Sequence, residues 1–273
     1  MTDAPITKSE FQEQIAVEQG TAFPWFAVYK RELGQYFRSP IAYGVAFAIL
    51  FLLSLLFNDY IAQGVSANAS GQAQIPADST FIPGLLTFLT FLIAPLLTMR
   101  LLAEESREGT LEVLMTLPMN ESQFVVGKFL AAWTYYTVLL LITLVYHIIL
   151  LTIGNPDLGA AFGAYFGAWL YGGAVLAVTM IWSAITEDQI VAAFLGAATV
   201  LVLYLAEVAA SSIGGSTAPG VADFVRQLGL QAHYNTTLLR GIVRAEDILY
   251  FVFMIAGAIF ITTRIVEARR WRS

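Results

Sequence analysis

Six apolar runs, at about residues 41–57, 82–103, 129–153, 160–182, 190–212 and 248–264, dominate this chain. Each is long enough to cross about 30 Å of hydrocarbon as a helix, and short polar segments separate them. Lipid offers no partners to backbone N–H and C=O groups, so a spanning chain is confined to helices or a closed barrel. Continuous apolar runs select helices. The sequence therefore predicts an all-α integral membrane protein with six transmembrane helices. Charge agrees: 12% of the residues are charged, about half the share of an ordinary soluble domain.

An even number of spans puts both ends of the chain on one side. Of the 14 lysines and arginines, all but Arg226, Arg240 and Arg244 fall in the N-terminal tail, the connection between the second and third spans, or the C-terminus. The positive-inside bias assigns that side to the cytoplasm. Residues 1–22 read as a polar cytoplasmic tail and 266–273 as a basic cytoplasmic C-terminus. The first twenty residues lack the basic and apolar regions of a cleaved signal, so the first span is expected to target the chain.

Just before the first span, "PWFAVYKRELGQYFRSP" sets Trp25, Tyr29, Leu33 and Tyr36 on one helical face and Lys30, Arg31, Gln35 and Arg38 largely elsewhere. That pattern suits a helix over 23–39 lying in the membrane interface; an extension of the first span is the alternative. Pro40 marks the turn. The loop at residues 58–80, small and polar with no basic residue, is expected to be a solvated connector. In the fourth span Gly159, Gly163 and Gly167 recur four apart, which predicts a packing seam between helices. Within residues 221–246, Val221, Phe224, Val225 and Leu228 share helical spacing. That stretch is too short to cross, and the pattern leaves open whether it forms short helices dipping into the outer leaflet or an external loop.

Several chemistries are missing. The fragment "VVGKFL" lacks the first glycine and the hydroxyl residue of a phosphate-binding loop. No zinc-hydrolase or serine-hydrolase motif occurs, the chain has no cysteine, and His147 and His233 lack metal-ligand spacing. A net charge of −6 without a basic stripe argues against nucleic acid. Inside the spans the ionisable residues are His147 and Glu207, both near the outer ends. They either face a common outer cavity or pair, or each is satisfied separately near the interface. Without titratable groups at the midplane, an ion-coupled carrier is disfavoured, and the driving force is expected from another molecule read at the cytoplasmic surface. The sizeable cytoplasmic connection runs from about 104 to 124. As a helix it places Glu104, Glu105, Glu108 and Glu112 mostly on one side and Leu111, Leu114, Met115 and Leu117 on the other, with Gly109 interrupting and Pro118 ending it. Such a segment is either a docking helix or an acidic loop that keeps the connection soluble.

The stretch "EESREGTLEVLMTLPMNESQFVVGKFLA", residues 104–131, resembles the cytoplasmic connection of ABC-2 type permeases in its acidic pair, its Gly-Thr-Leu-Glu run and its following Gly-Lys. Together with "YKRELGQYFRSPIAY", "LLRGIVRAEDILYF" and "ARRW", it is most similar to the gliding-motility branch. The resemblance implies a six-span, type V exporter-like permease domain over 40–265, in the plasma (inner) membrane, without a nucleotide-binding domain of its own. It implies a second permease subunit, in a homo- or heterodimer, and a separate ATP-binding cassette subunit carrying ATP and Mg; no cofactor, metal or catalytic residue is expected in this chain. Residues 23–39 would be the elbow helix and 221–246 the outer re-entrant helices. The coupling helix, 104–118, would meet the ATPase through Glu104, Glu105, Arg107, Glu108, Gly109, Thr110, Leu111, Glu112, Leu114 and Pro118, with Glu187 and Asp188 as a smaller contact. The expected function is export of an amphiphilic or hydrophobic substrate. The alternative is an ATPase-coupled scaffold that transmits force to a large extracytoplasmic accessory membrane protein. Membrane lipid is a further expected partner.

Overall fold

The computed structural model describes residues 24–69, 78–109, 120–213 and 219–270, and among these there is no strand. Among the described residues six helical stretches are long and apolar enough to cross a membrane: Pro40–Ser66, Phe81–Arg107, Glu121–Ile153, Leu158–Ile185, Gln189–Ser212 and Ala245–Arg269. All six runs expected from the sequence are present.

The chain begins with α1 (Pro24–Tyr36) and turns into α2 (Pro40–Ala69). Each opens on a proline, whose fixed φ and missing N–H suit the first helical position. Helix α2 outruns its apolar stretch, so half of the expected connector is helical. Two contacts explain the extension: Gln63 donates to the Asp59 carboxylate one turn back (2.7 Å), and Tyr60 stacks on Phe81 with ring centroids 4.4 Å apart.

Helix α3 (Phe81–Thr98) leads through a turn to the short α4 (Ala103–Arg107). The third span is two helices, α5 (Glu121–Ile142) and α6 (Leu144–Ile153). The break at Thr143 has a side-chain cause: its hydroxyl donates to the Leu140 carbonyl (2.6 Å), while its own carbonyl accepts the Tyr165 hydroxyl (3.1 Å). Helix α7 (Leu158–Ile185) is capped by Asp157, which accepts from the backbone N–H groups of Gly159 and Ala160. Then come α8 (Gln189–Ile213), the short α9 (Pro219–Leu228) and α10 (Leu230–Asn235), a 3-10 turn at Leu238–Arg240, and α11 (Ala245–Arg270). Residues 221–246 are thus helical over most of their length, and Val221, Phe224 and Leu228 of α9 turn away from the bundle.

Helix α7 is the centre, touching α3, α5, α8, α11 and the 3-10 turn. Its most apolar window is 72% buried, against 17% for α2. Small residues make this possible. A Cβ at Gly163 would lie 2.6 Å from the Gly241 Cα, and one at Gly167 would lie 2.7 Å from the Leu238 Cβ; the 3-10 turn therefore sits directly on the α7 backbone. Gly159, at the start of that stripe, faces only the Asp157 cap.

Candidate functional site

The candidate site is the end of the bundle where α3 turns into α4. Leu101, Leu102 and Ala103 are buried and seat the turn. A helix start leaves backbone donors without partners, and here α7 supplies one. The Ser183 hydroxyl accepts from the N–H groups of Leu102 and Ala103, both at 3.1 Å, and donates to the Met99 carbonyl. One turn earlier Thr98 donates to Thr179 of the same helix (2.9 Å).

The carboxylates of α4 meet cations from the rest of the chain. Glu104 takes a two-pronged contact from Arg100, at 3.0 and 3.2 Å. Glu105 lies 2.9 Å from Arg31 of α1 and 3.0 Å from Lys128 of α5. Both cations also reach Glu32 of α1, at 2.7 and 3.1 Å. The four groups form a closed, charge-balanced ring in which the Lys128 side chain is 2% exposed and that of Glu32 is 5% exposed. Partial burial works against the charge on Arg31, but Glu32 and Glu105 outweigh it and hold its pKa above the ordinary value. Burial is also the main cause of the high pKa of Tyr36, which stays a neutral donor to the Leu97 carbonyl (2.6 Å).

The local sequence explains how α1 reaches this ring. A Cβ at Gly127 would fall 2.7 Å from the Trp25 carbonyl oxygen, so glycine lets α1 cross α5 closely and brings Glu32 down onto Lys128. The partly buried face of Trp25, Tyr29, Leu33 and Tyr36 accordingly packs on α5.

Arg269 of α11 closes the far side, donating to the Ser106 hydroxyl and to the Ile185 carbonyl (2.8 Å), with Glu187 at 3.9 Å. Asp188 caps α8, accepting from the N–H groups of Ile190 and Val191. Arg107, Glu108 and Gly109 are exposed, and Gly109 has φ +67°; the first helical piece therefore stops there. Thr110, Leu111, Glu112, Leu114 and Pro118 lie outside the described residues.

The structure does not join His147 to Glu207. Both are half-buried, no hydrogen bond or ion pair links them, and the two ring nitrogens of His147 have no hydrogen-bond partner, its ring resting edge-on against Tyr165. The histidine that does meet a carboxylate is His233, whose Nδ1 lies 2.9 Å from Asp247 while its ring stacks on Tyr250.

A model of ABC-2 family transporter proteins matches residues 26–265. The chain belongs to that family. Two curated relatives share part of its sequence, both named as probable ABC transporter permease protein NosY. The one from Stutzerimonas stutzeri is 38% identical over 98 residues, covering 34% of this chain and 35% of the relative. The one from Pseudomonas aeruginosa is 36% identical over 99 residues, covering 34% of this chain and 36% of the relative. The chain thus spans about a third of the length of the curated relatives it matches. Neither name points to the gliding-motility branch, and the assignment stops at the ABC-2 family.

Within this ABC-2 chain, sequence reasoning singled out Glu104 and Glu105 but not the surroundings that fix them and the rest of α4: Arg31, Glu32, Arg100, Lys128, Ser183 and Arg269. A signal existed for two of these. Glu32 interrupts the apolar face of α1, and Lys128 lies within an otherwise apolar run, placements that are costly unless the charges are paired. Ser183 and Arg269 carry no such mark.

Proposed function

We propose that this chain is the membrane-spanning permease subunit of an ABC transporter, set in the inner membrane with both termini and the α4 end in the cytoplasm. It pairs with a second permease subunit and is driven by a separate ATP-binding subunit, holding ATP and Mg, that docks on the segment beginning at Ala103. The observation that carries this reading is the wiring of α4. Five residues long and bearing exposed Arg107, it is tied by polar contacts to α1, α5, α7 and α11. A push on so connected an element is felt across the bundle, and a partner can bias the conformation if its contacts differ between two states. Glu104 and Glu105 are engaged inside the chain, so docking falls to the exposed Arg107 and to the residues that follow Gly109. The apolar spans favour an amphiphilic or hydrophobic substrate, the family resemblance implies outward export, and the names of the two relatives agree with a permease.

The test is reconstitution with the ATP-binding subunit and an assay of ATP-driven transport. At Gly109 the left-handed backbone costs any other residue about 1–2 kcal/mol, and this lies beyond the packed spans. Gly109→Arg is expected to abolish transport while the thermal melt of the permease stays unchanged. Undiminished transport would contradict the reading, and an assembled, ATP-hydrolysing wild-type complex that moves no solute would favour the force-transmitting scaffold.

A further inference from the structure

At the same end, α1, the start of α2 and the end of α3 enclose an open cleft of about 910 Å³. Part of its lining is apolar, from Ala42 and Val45 of α2 and from Leu96 and Leu97 of α3. The rest of the lining is largely charged, buried at Glu32 and Lys128, and most of those charges are already matched: Arg31 and Lys128 by Glu32 and Glu105, Arg100 by Glu104. Two are left over. Arg38, at the corner between α1 and α2, and Glu108, at the end of α4, both line the cleft, are exposed, and make no ion pair among the described residues.

A cleft that combines apolar lining with one exposed, unmatched cation and one exposed, unmatched carboxylate is complementary to an amphiphile carrying both charges on its head. We propose that the cleft binds a membrane phospholipid with a zwitterionic headgroup ending in a primary ammonium. The acyl chain lies along Val45 and Leu96, the phosphate meets the Arg38 guanidinium, and the ammonium donates to the Glu108 carboxylate. Guanidinium matches phosphate through paired N–H donors. A primary ammonium has N–H groups to give a carboxylate; a quaternary ammonium has none, and a glycerol head has no cation at all. Because the charges of the lining balance, a head with net negative charge gains no field there and meets Glu104 and Glu108 as like charges. The bound lipid touches both the α1–α2 corner and α4, so its occupancy and the position of α4 are thermodynamically linked. The assignment rests on the bundle sitting in a membrane but requires no ATP-binding partner, and it is tested without one.

The purified full chain in detergent micelles is offered phosphatidylethanolamine, phosphatidylcholine and phosphatidylglycerol with identical acyl chains, and retained lipid is read by native mass spectrometry. Wild-type chain is expected to retain phosphatidylethanolamine on the order of tenfold better than either competitor, the worth of one charge-assisted hydrogen bond. Glu108→Gln is expected to erase the preference over phosphatidylcholine, Arg38→Gln to lower retention of all three, and Arg226→Gln at the opposite end to change nothing. Equal retention of the three lipids by the wild-type chain, or a preference for phosphatidylglycerol, overturns the proposal whatever the variants do. Loss of the preference in Arg226→Gln overturns it as well. Displacement of the lipid by an equal concentration of soluble phosphoethanolamine would assign the cleft to a water-soluble phosphate ester and likewise overturn it.

Discussion

Lys128 is a cation removed from solvent with two carboxylates within 3.1 Å. Breaking a buried pair by deleting one partner costs about 3–5 kcal/mol, because the other charge stays buried and uncompensated. Lys128→Met is therefore expected to be strongly destabilising, since it leaves Glu32 and Glu105 to share Arg31. Adding Glu32→Gln removes the surplus charge and is expected to restore part of the loss, with a coupling of about 1–3 kcal/mol between the two sites. Chemical denaturation of the four proteins in one detergent measures this. Strictly additive losses would mean the ring does not act as a unit. The charge pattern hinted at Glu32 and Lys128, yet no sequence rule paired residues 96 positions apart; only the crossing of α1 over Gly127 does that.

At the scale of elements, α4 is held at its start by one hydroxyl. Ser183→Ala leaves the N–H groups of Leu102 and Ala103 without their acceptor in a buried setting, at a cost of about 1–3 kcal/mol. Hydrogen exchange is expected to rise at residues 102–109 and to stay unchanged in the centre of α7; uniform exchange throughout would show that Ser183 does not secure the turn. The spans themselves were legible, because lipid forces every crossing segment to be a continuous apolar helix. Where helices stop was not. The break at Thr143 depends on Tyr165 from another helix, and the length of α2 depends on Tyr60 meeting Phe81. The face of α1 was legible as a set of residues, but its packing on α5 was not, since amphipathic spacing does not distinguish lipid from an apolar helix. His147 and Glu207 share a similar depth in sequence but sit on helices that do not bring them together.

For the whole molecule, orientation and docking decide the account. The chain has no cysteine, so single substitutions report cleanly. In intact cells an impermeant maleimide is expected to label Val221→Cys, and to label Arg107→Cys only after the membrane is opened; the reverse pattern would invert the proposed orientation. The central claim is that energy enters through the exposed end of α4. A photo-crosslinking amino acid at Arg107, in membranes containing the complete assembly, tests it most directly. The account predicts a single major adduct with an ATP-binding subunit, whose yield changes when nucleotide is added. Failure to capture that subunit at position 107, while the same probe at Arg226 captures it, would contradict the account.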